Sequence, residues 1–257
     1  MRKRERLVFL FCLSLVFLIS SSSAYYFYDD FHSYPSGSNN LSPNWIPQYP
    51  QRVNISTIGV SKVLVIDTYT KFNGDRDNHI LLNNSQKNLA NSTKISANWS
   101  FSVDSCNSSW KREFGVSPQG SSVYFYYNNP QNFLSVEFKV FANTTDCGSG
   151  LAQISAFKRV NGTSSPLIPY STYNFSLNKI YSPTVILINS NSTYYFLISI
   201  SNIRIISSNV TKNEVMNGSF LLENSGVIGK FYSVEVNSSS YETPSKRKKN
   251  PKPIIHR

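Results

Sequence analysis

The stretch from Lys94 to Asp104, KISANWSFSVD, decides the fold class of this chain. Its apolar residues occupy every second position, namely Ile95, Ala97, Trp99, Phe101 and Val103. Polar residues fill the positions between them. Successive side chains of an extended chain point to opposite faces, so this period of two predicts a β-strand with one buried and one solvated face.

The same alternation predicts further strands along the chain. They are Tyr25–Phe31, Lys62–Tyr69, Ser122–Asn128, 135–142, Ala152–Val160, Thr184–Asn189, 194–200, Ile203–Ser207 and 231–237. Turn-forming clusters such as Asn73-Gly74-Asp75, Asn129-Pro130 and Asn161-Gly162 separate them. No segment has the 3.6-residue period of an amphipathic helix, so the sequence predicts an all-β sandwich or barrel.

Residues 1–24 have the pattern of a secretory signal peptide. A basic start is followed by the apolar run Leu7–Ile19 and by small residues up to Ala24. We expect cleavage before Tyr25, which leaves a β-sandwich domain at 25–240 and a polar, basic, disordered tail at 241–257. The protein is then secreted or exposed at a surface. The alternative is an uncleaved signal anchor, although the run is shorter than the roughly 20 apolar residues of a membrane span.

The formal net charge of +11 is concentrated at the two ends. Four basic residues less Glu5 give the signal region +3, and the six basic residues from Lys246 onward give +6, so residues 25–245 carry only +2. A body of this charge has no basic groove for nucleic acid. The tail predicts either attachment to an anionic surface or a solubilising end.

Two of the three cysteines remain in the mature chain. Cys12 leaves with the signal, and Cys106 and Cys147 form an even pair in an oxidising compartment, which favours a disulfide. Such a bridge would contribute about 4 kcal/mol on the chain-entropy account. Free thiols or a redox pair fit less well, because the two cysteines lack Cys-x-x-Cys spacing.

Glycosylation sequons are dense. Asn-x-Ser/Thr begins at Asn40, Asn54, Asn83, Asn91, Asn98, Asn107, Asn143, Asn161, Asn174, Asn191, Asn209, Asn217 and Asn237. An exported chain in a glycosylating host carries sugar on many such sites, and all of these except Asn40 and Asn83 are our candidates. Dense sequons with few cysteines suggest an archaeon or one of its viruses as the source.

Two short signatures near the ends of the body carry a resemblance. Tyr28-Asp29-Asp30-Phe31 is followed by Asn44-Trp45, and Gly226-Val227-Ile228-Gly229 leads into a final strand. This pattern resembles the concanavalin A-like (laminin G-like) lectin and glucanase superfamily. The resemblance implies a two-sheet antiparallel jelly-roll sandwich whose first and last strands are neighbours.

The same superfamily contains retaining glucanases, which carry Glu-x-Asp-x-(x)-Glu on one strand. The nearest segment here is Glu137-Phe138-Lys139-Val140-Phe141, in which Lys139 and Phe141 replace the second and third acids. A lysine cannot act as the partner carboxylate of a retaining pair. We therefore expect a non-catalytic member.

Metal and cofactor signals are weak. Asp75 and Asp77 alternate in a turn-like stretch, as the ligands of calcium loops do, but position 84 is Asn where an EF-hand loop would have its last acid. We expect a polar turn there, with calcium as the remaining option and no other cofactor. His32 and His79 lack metal-binding spacing and are interpreted as ordinary surface residues.

The candidate binding platform combines Trp110, Arg112, Tyr124, Tyr126, Glu137 and Lys139. Flat aromatic rings with a few polar groups suit sugars, since rings stack on the C–H faces of pyranoses. The alternative is that these aromatics are covered by loops or by a second sheet.

The sequence thus predicts an exported glycoprotein that binds a glycan or another surface component. A structural coat, spike or filament subunit of an archaeal cell surface or virus is the alternative, and a divergent glycoside hydrolase is the third. The sequence gives no oligomeric state.

Overall fold

The computed structural model describes residues 25–68, 77–85, 89, 92–106, 120–139, 150–168, 171–190, 193–201, 203–211 and 218–239. The predicted signal peptide, the basic tail, Asp75, Trp110, Arg112 and Cys147 lie outside these ranges. Within them, no helix is long and apolar enough to cross a membrane.

The described residues form sixteen strands and one short 3₁₀ helix, Pro50–Arg52. The strands are β1 (Tyr25–Asp29), β2 (Trp45–Pro47), β3 (Val53–Ile58), β4 (Ser61–Asp67), β5 (Asp77–Leu82), β6 (Lys94–Cys106), β7 (Gly120–Asn129), β8 (Asn132–Lys139), β9 (Gly150–Val160), β10 (Thr163–Pro166), β11 (Ser171–Phe175), β12 (Thr184–Ser190), β13 (Thr193–Ile200), β14 (Ile203–Thr211), β15 (Ser219–Ser225) and β16 (Val227–Ser239). The predicted all-β class is confirmed.

The strands form two antiparallel sheets of eight strands each. Sheet A has the order β14-β13-β12-β6-β16-β4-β3, with β1 also paired to β16. Sheet B has the order β10-β9-β8-β7-β15-β5-β2, with β11 also paired to β9. Half of the neighbours in the two orders are consecutive strands of the chain, and the other half, such as β6–β16 and β7–β15, join segments distant in sequence. Both sheets therefore depend on long-range pairing.

The apolar faces of the two sheets meet in one core, and large rings fill the space between them. Trp99 and Phe101 of sheet A lie 5.4 and 5.9 Å from the ring of Phe138 in sheet B. All three side chains are buried. The alternation that opened the sequence analysis therefore directs Trp99 and Phe101 inward and leaves Ser96 and Asn98 on the outer face of sheet A.

The first and last strands are neighbours, as predicted. β1 pairs antiparallel with β16, and Tyr25 lies opposite Ser238. Strand β1 ends at Asp29, two residues before the predicted end, because the chain turns at Phe31, which has a φ of 63°.

Asp29 explains why the two N-terminal signatures occur together. Its Oδ1 accepts a hydrogen bond from the backbone N–H of Phe31 at 2.7 Å. Its Oδ2 accepts from Tyr34 Oη at 3.0 Å and from Trp45 Nε1 at 2.8 Å. One buried carboxylate thus joins the Asp-Asp-Phe turn to the Asn-Trp segment.

The C-terminal glycine signature also has a physical reason. Gly226 has a φ of 63° in the tight turn between β15 and β16, a conformation that disfavours other residues. At Gly229 a Cβ atom would clash with the amide of Asn224, which reaches across to donate to the Ile66 carbonyl at 3.3 Å. The signature therefore permits a close contact between the two sheets.

Every predicted strand overlaps an observed one, but six observed strands were missed. They are β2, β3, β5, β10, β11 and β15. Two of these, β5 and β15, are interior strands of sheet B and carry side chains of the candidate site.

Candidate functional site

The outer face of sheet B, which points away from sheet A, carries a row of polar side chains across five adjacent strands. Cross-strand pairing aligns His79, Glu223, Ser122, Glu137 and Ser155, one from each of β5, β15, β7, β8 and β9. Their sequence neighbours, such as Ile80 and Phe138, face the core. We call this set the polar row.

Glu223 is the most buried carboxylate of the polar row, with 7% of the residue exposed. Tyr124 Oη donates to Glu223 Oε2 at 2.8 Å, and His79 Nε2 lies 2.5 Å from the same oxygen. Since the carboxylate only accepts, Nε2 carries the proton in this contact. The phenol and the imidazole together compensate for the water that Glu223 loses on burial.

Four rings lie together beside this carboxylate, and two of them, His79 and Tyr124, contact it. We call them the aromatic cluster: His79, Tyr124, Tyr127 and Phe133. The ring of Tyr124 lies 5.6 Å from Tyr127 and 5.1 Å from Phe133, edge to face in both cases. The ring of His79 lies 5.3 Å from Tyr127. Burial, followed by the charge of Glu223, raises the pKa of Tyr127, so this phenol stays neutral well into the alkaline range.

The four side chains of the aromatic cluster differ in solvent exposure. Tyr124 is buried, whereas Tyr127, Phe133 and His79 are half-buried and reach solvent. The cluster therefore presents a partly open aromatic surface with an anchored carboxylate beneath it.

Glu137 is the second carboxylate of the polar row. It is half-buried, and Ser155 Oγ donates to its Oε2 at 3.4 Å. One strand, β7, lies between it and Glu223, so the two Cα atoms are about 10 Å apart at ordinary strand spacing. Lys139 ends β8 two residues after Glu137, where its backbone pairs with Gly120 of β7.

The structure brings together only part of the predicted platform. Tyr124 and Glu137 lie on the outer face of sheet B, and Trp110 and Arg112 lie outside the described residues. Lys139 is described only by its backbone position at the end of β8. Tyr126 belongs to the core instead and is 2% exposed. The physical reason is a register shift between Tyr124 and Tyr126 that breaks the alternation of β7.

His79 corrects a second interpretation. It was taken as an ordinary surface residue, but its side chain is 16% exposed and it contacts Glu223. His32, by contrast, has a side chain 52% exposed beside Asp30. Neither His79 nor Glu223 belonged to the predicted site, because both lie on the missed strands β5 and β15.

A weak signal for β15 is present in the sequence. Leu221 and Glu223 alternate with Phe220, Leu222 and Asn224, but the apolar run of residues 220–222 hides the period of two. In the structure, Phe220 and Leu222 enter the core and Leu221 is buried on the outer face beside Tyr124.

The calcium option receives no new support. Asp77 begins β5 rather than lying in a turn, and Asn78 is buried with its Oδ1 accepting from the backbone of Tyr49 at 3.1 Å. Asp75 lies outside the described residues. Where the chain is described, no group of three or more His, Cys, Asp or Glu side chains is arranged to hold a metal ion.

The predicted disulfide and the sequons are only partly described. Cys106 ends β6, and its predicted partner Cys147 lies outside the described ranges, so the bridge stays a prediction. Five candidate asparagines have described surroundings: Asn54, Asn98 and Asn237 on the outer face of sheet A, Asn161 in the β9–β10 turn, and Asn174 on β11. Asn209 lies on β14, and Asn91, Asn107, Asn143, Asn191 and Asn217 lie outside the described residues.

At the level of sequence, no family model and no curated protein matches the chain. Solved structures do. A GH16 enzyme of the Bacteroides ovatus mixed-linkage glucan locus, in complex with a G4G4G3G product, is 11% identical with a TM-score of 0.50, over 82% of this chain and 99% of that one. The exoplasmic/lumenal domain of VIP36 in its Ca²⁺/Man-bound form is 13% identical with a TM-score of 0.50, over 79% of this chain and 86% of that one. The chain therefore has the predicted concanavalin A-like jelly-roll fold.

Proposed function

We propose that this concanavalin A-like jelly roll belongs to an exported, non-catalytic protein that binds a glycan on the outer face of sheet B. The observation that carries the proposal is the aromatic cluster around Glu223, with Glu137 beside it in the polar row. The similar structures are a glucan-degrading enzyme and a mannose-bound lumenal domain. This makes a sugar the natural class of ligand to test.

The chemistry of the face suits a sugar. The half-buried rings of Tyr127 and Phe133 offer apolar surface to the C–H face of a pyranose. The Glu137 carboxylate accepts hydrogen bonds from sugar hydroxyls, and such charge-assisted bonds are about twice as strong as neutral ones. Glu223 acts as a positioning residue, because its contacts with His79 and Tyr124 fix two of the rings of the cluster.

The non-catalytic part of the proposal rests on β8. Glu137 is followed two positions later on β8 by Lys139, where a retaining glucanase would carry a second acid. A lysine at this position does not supply the missing nucleophile or acid.

The direct test is a glycan array probed with the secreted protein, followed by titration of the best ligand. We expect Tyr127→Ala and Glu137→Gln each to weaken binding by at least about tenfold, which corresponds to the loss of one good contact. Tyr195→Ala is the matched control, since Tyr195 is an exposed tyrosine on the outer face of sheet A. A blank array, or an equal loss in the control, would contradict the proposal.

A divergent glycoside hydrolase is the second candidate, because Glu137 and Glu223 share one face and one row. Their Cα separation of about 10 Å is compatible with carboxyl groups far enough apart to admit a water, as in inverting enzymes. Turnover of a polysaccharide that disappears in both Glu137→Gln and Glu223→Gln would favour this candidate. The coat, spike or filament subunit stays a prediction.

A further inference from the structure

The outer face of sheet A carries exposed tyrosines on its first strand. Tyr26 is 64% exposed and Tyr28 is 51% exposed, while Tyr25 and Phe27 pack against the core. Neighbouring exposed aromatic rings on a sheet are unusual in the absence of something that covers them.

A sequon asparagine lies directly beside these rings. Tyr26 is the cross-strand partner of Asn237, and Tyr28 is the partner of Glu235, which makes Tyr28 the diagonal neighbour of Asn237. Directly opposed residues have Cβ atoms about 5 Å apart, and diagonal neighbours remain within reach of an aromatic side chain. Asn237 therefore lies beside two exposed rings of the neighbouring strand.

The amide of Asn237 is held in place. Its Nδ2 donates to Glu235 Oε1 at 2.6 Å, so the group to which a sugar would be attached has a fixed orientation on the outer face. An N-linked sugar keeps one N–H on that nitrogen, and the contact with Glu235 can persist after modification.

We infer that Asn237 carries an N-linked glycan whose first sugar packs on Tyr26 and Tyr28 and covers this aromatic surface. The ligand is an N-acetylhexosamine or a related pyranose, since the apolar face of such a ring matches the flat side of a tyrosine. The inference rests on the exported location in the proposed function, and it does not depend on glycan binding at sheet B.

The glycosylation sites and the proposed binding face lie on different sheets. Asn54, Asn98 and Asn237 all lie on the outer face of sheet A, whereas the aromatic cluster lies on the outer face of sheet B. A covalent glycan at Asn237 keeps sheet A from docking and leaves the face of sheet B as the open one.

The test begins with secretion of the full chain from a glycosylating host and mapping of the occupied sites by mass spectrometry. We expect Asn237 to be occupied. Ser239→Ala then removes the sequon and leaves Asn237 with its hydrogen bond to Glu235. We expect Ser239→Ala to lower the melting temperature by about 2 to 4 °C, the shift that one lost ring contact gives in a domain of this size.

Tyr26→Ser identifies the contact. In the Tyr26→Ser background, Ser239→Ala should change the melting temperature by less than about 1 °C, since the sugar then lacks the ring directly opposite its attachment point and keeps only the diagonal one. Thr163→Ala is the matched control: it removes the sequon at Asn161, which lies in the β9–β10 turn, and it should have little effect in either background.

Three outcomes would overturn the inference. One is an unglycosylated Asn237 while other sequons are occupied. Another is a drop in melting temperature on Ser239→Ala that is as large in the Tyr26→Ser background as in the unmodified chain. The third is a dimer of the secreted protein that Tyr26→Ser disrupts, since a second copy would then cover the face. The glycan array reports on sheet B alone, so it distinguishes failure of this inference from failure of the proposed binding function.

Discussion

Two buried carboxylates, Asp29 and Glu223, lie among aromatic rings in this molecule and differ in the origin of their partners. Asp29 receives the N–H of Phe31, the hydroxyl of Tyr34 and the indole N–H of Trp45, all within 16 residues of it in sequence. Glu223 receives Tyr124 and His79, which are 99 and 144 residues away. Asp29 therefore stabilises a local turn, whereas Glu223 joins three strands that only the complete sheet brings together.

The difference separates a structural carboxylate from a candidate functional one. The partners of Asp29 belong to the N-terminal segment that it folds, and all three of them, Phe31, Tyr34 and Trp45, are buried in the core. Glu223 lies in a row that continues through Ser122 to the half-buried Glu137. Burial of a carboxylate alone does not indicate function. What distinguishes Glu223 is that its row of polar side chains continues to a second, half-buried carboxylate.

Replacing Asp29 should have the largest effect on stability. Asp29→Ala leaves three buried donors without an acceptor, so we expect the free energy of unfolding to fall by about 3 to 5 kcal/mol in urea titrations. Asp30→Ala is the control, because the Asp30 side chain is 46% exposed and should change stability by less than about 0.5 kcal/mol. Equal losses in the two variants would contradict the structural role of Asp29.

Replacing Glu223 should have a smaller effect on stability and a distinct effect on binding. Glu223→Gln keeps the shape but loses the charge that receives both Tyr124 and His79, so we expect a loss of about 1 to 3 kcal/mol. If the aromatic cluster binds a glycan, the same variant also weakens that binding, whereas a stability-matched variant at Asp29 does not. Loss of binding in both would show that Glu223 acts only through overall stability.

Alkaline pH should probe a phenol beside each carboxylate. Burial and then Asp29 raise the pKa of Tyr34, as burial and then Glu223 raise that of Tyr127. A raised folded-state pKa means that the folded protein holds a proton which the unfolded chain releases above about pH 10. Stability is therefore full below pH 10 and falls as the pH rises beyond it, by up to about 1.4 kcal/mol per pH unit for each tyrosine. Tyr127→Phe should make this decline shallower in unfolding curves between pH 9 and 11.

Removing one hydroxyl from each carboxylate should have the smallest effect. Tyr34→Phe and Tyr124→Phe each delete one hydrogen bond to a carboxylate, and we expect each to lower the free energy of unfolding by about 1 to 2 kcal/mol. Calorimetric titration of the two variants with the glycan ligand distinguishes their effects on binding, because only Tyr124→Phe alters the aromatic cluster. Equal weakening of binding by the two variants would remove the distinction between the two carboxylates.

Much of the fold could be predicted from the sequence because its information is local. Residues 94–104 of β6 alternate without interruption, and the Asp29 signature joins residues close in sequence. Strands that are short or carry an apolar run gave no such pattern: β15 was missed because residues 220–222 are all apolar, two of them entering the core and one lying beneath the outer face.

The candidate site was only half predictable for the same reason. Tyr124 and Glu137 lie on β7 and β8, whose alternation is readable, so they were placed on one face. The pairing of His79 with Glu223 follows from sheet order, which local patterns do not encode. The register shift in β7 that turns Tyr126 into the core likewise depends on the partner strand β8.

Strand β16 lies at the centre of sheet A, although it is the last strand of the described chain. It pairs with β6 on one side and with β4 and β1 on the other. During synthesis, sheet A therefore lacks its central strand until residues 227–239 have been made, and β1 has no partner for most of that time. Non-local pairing of this kind folds slowly, so we expect sheet A to stay incomplete until residue 239 has been synthesised.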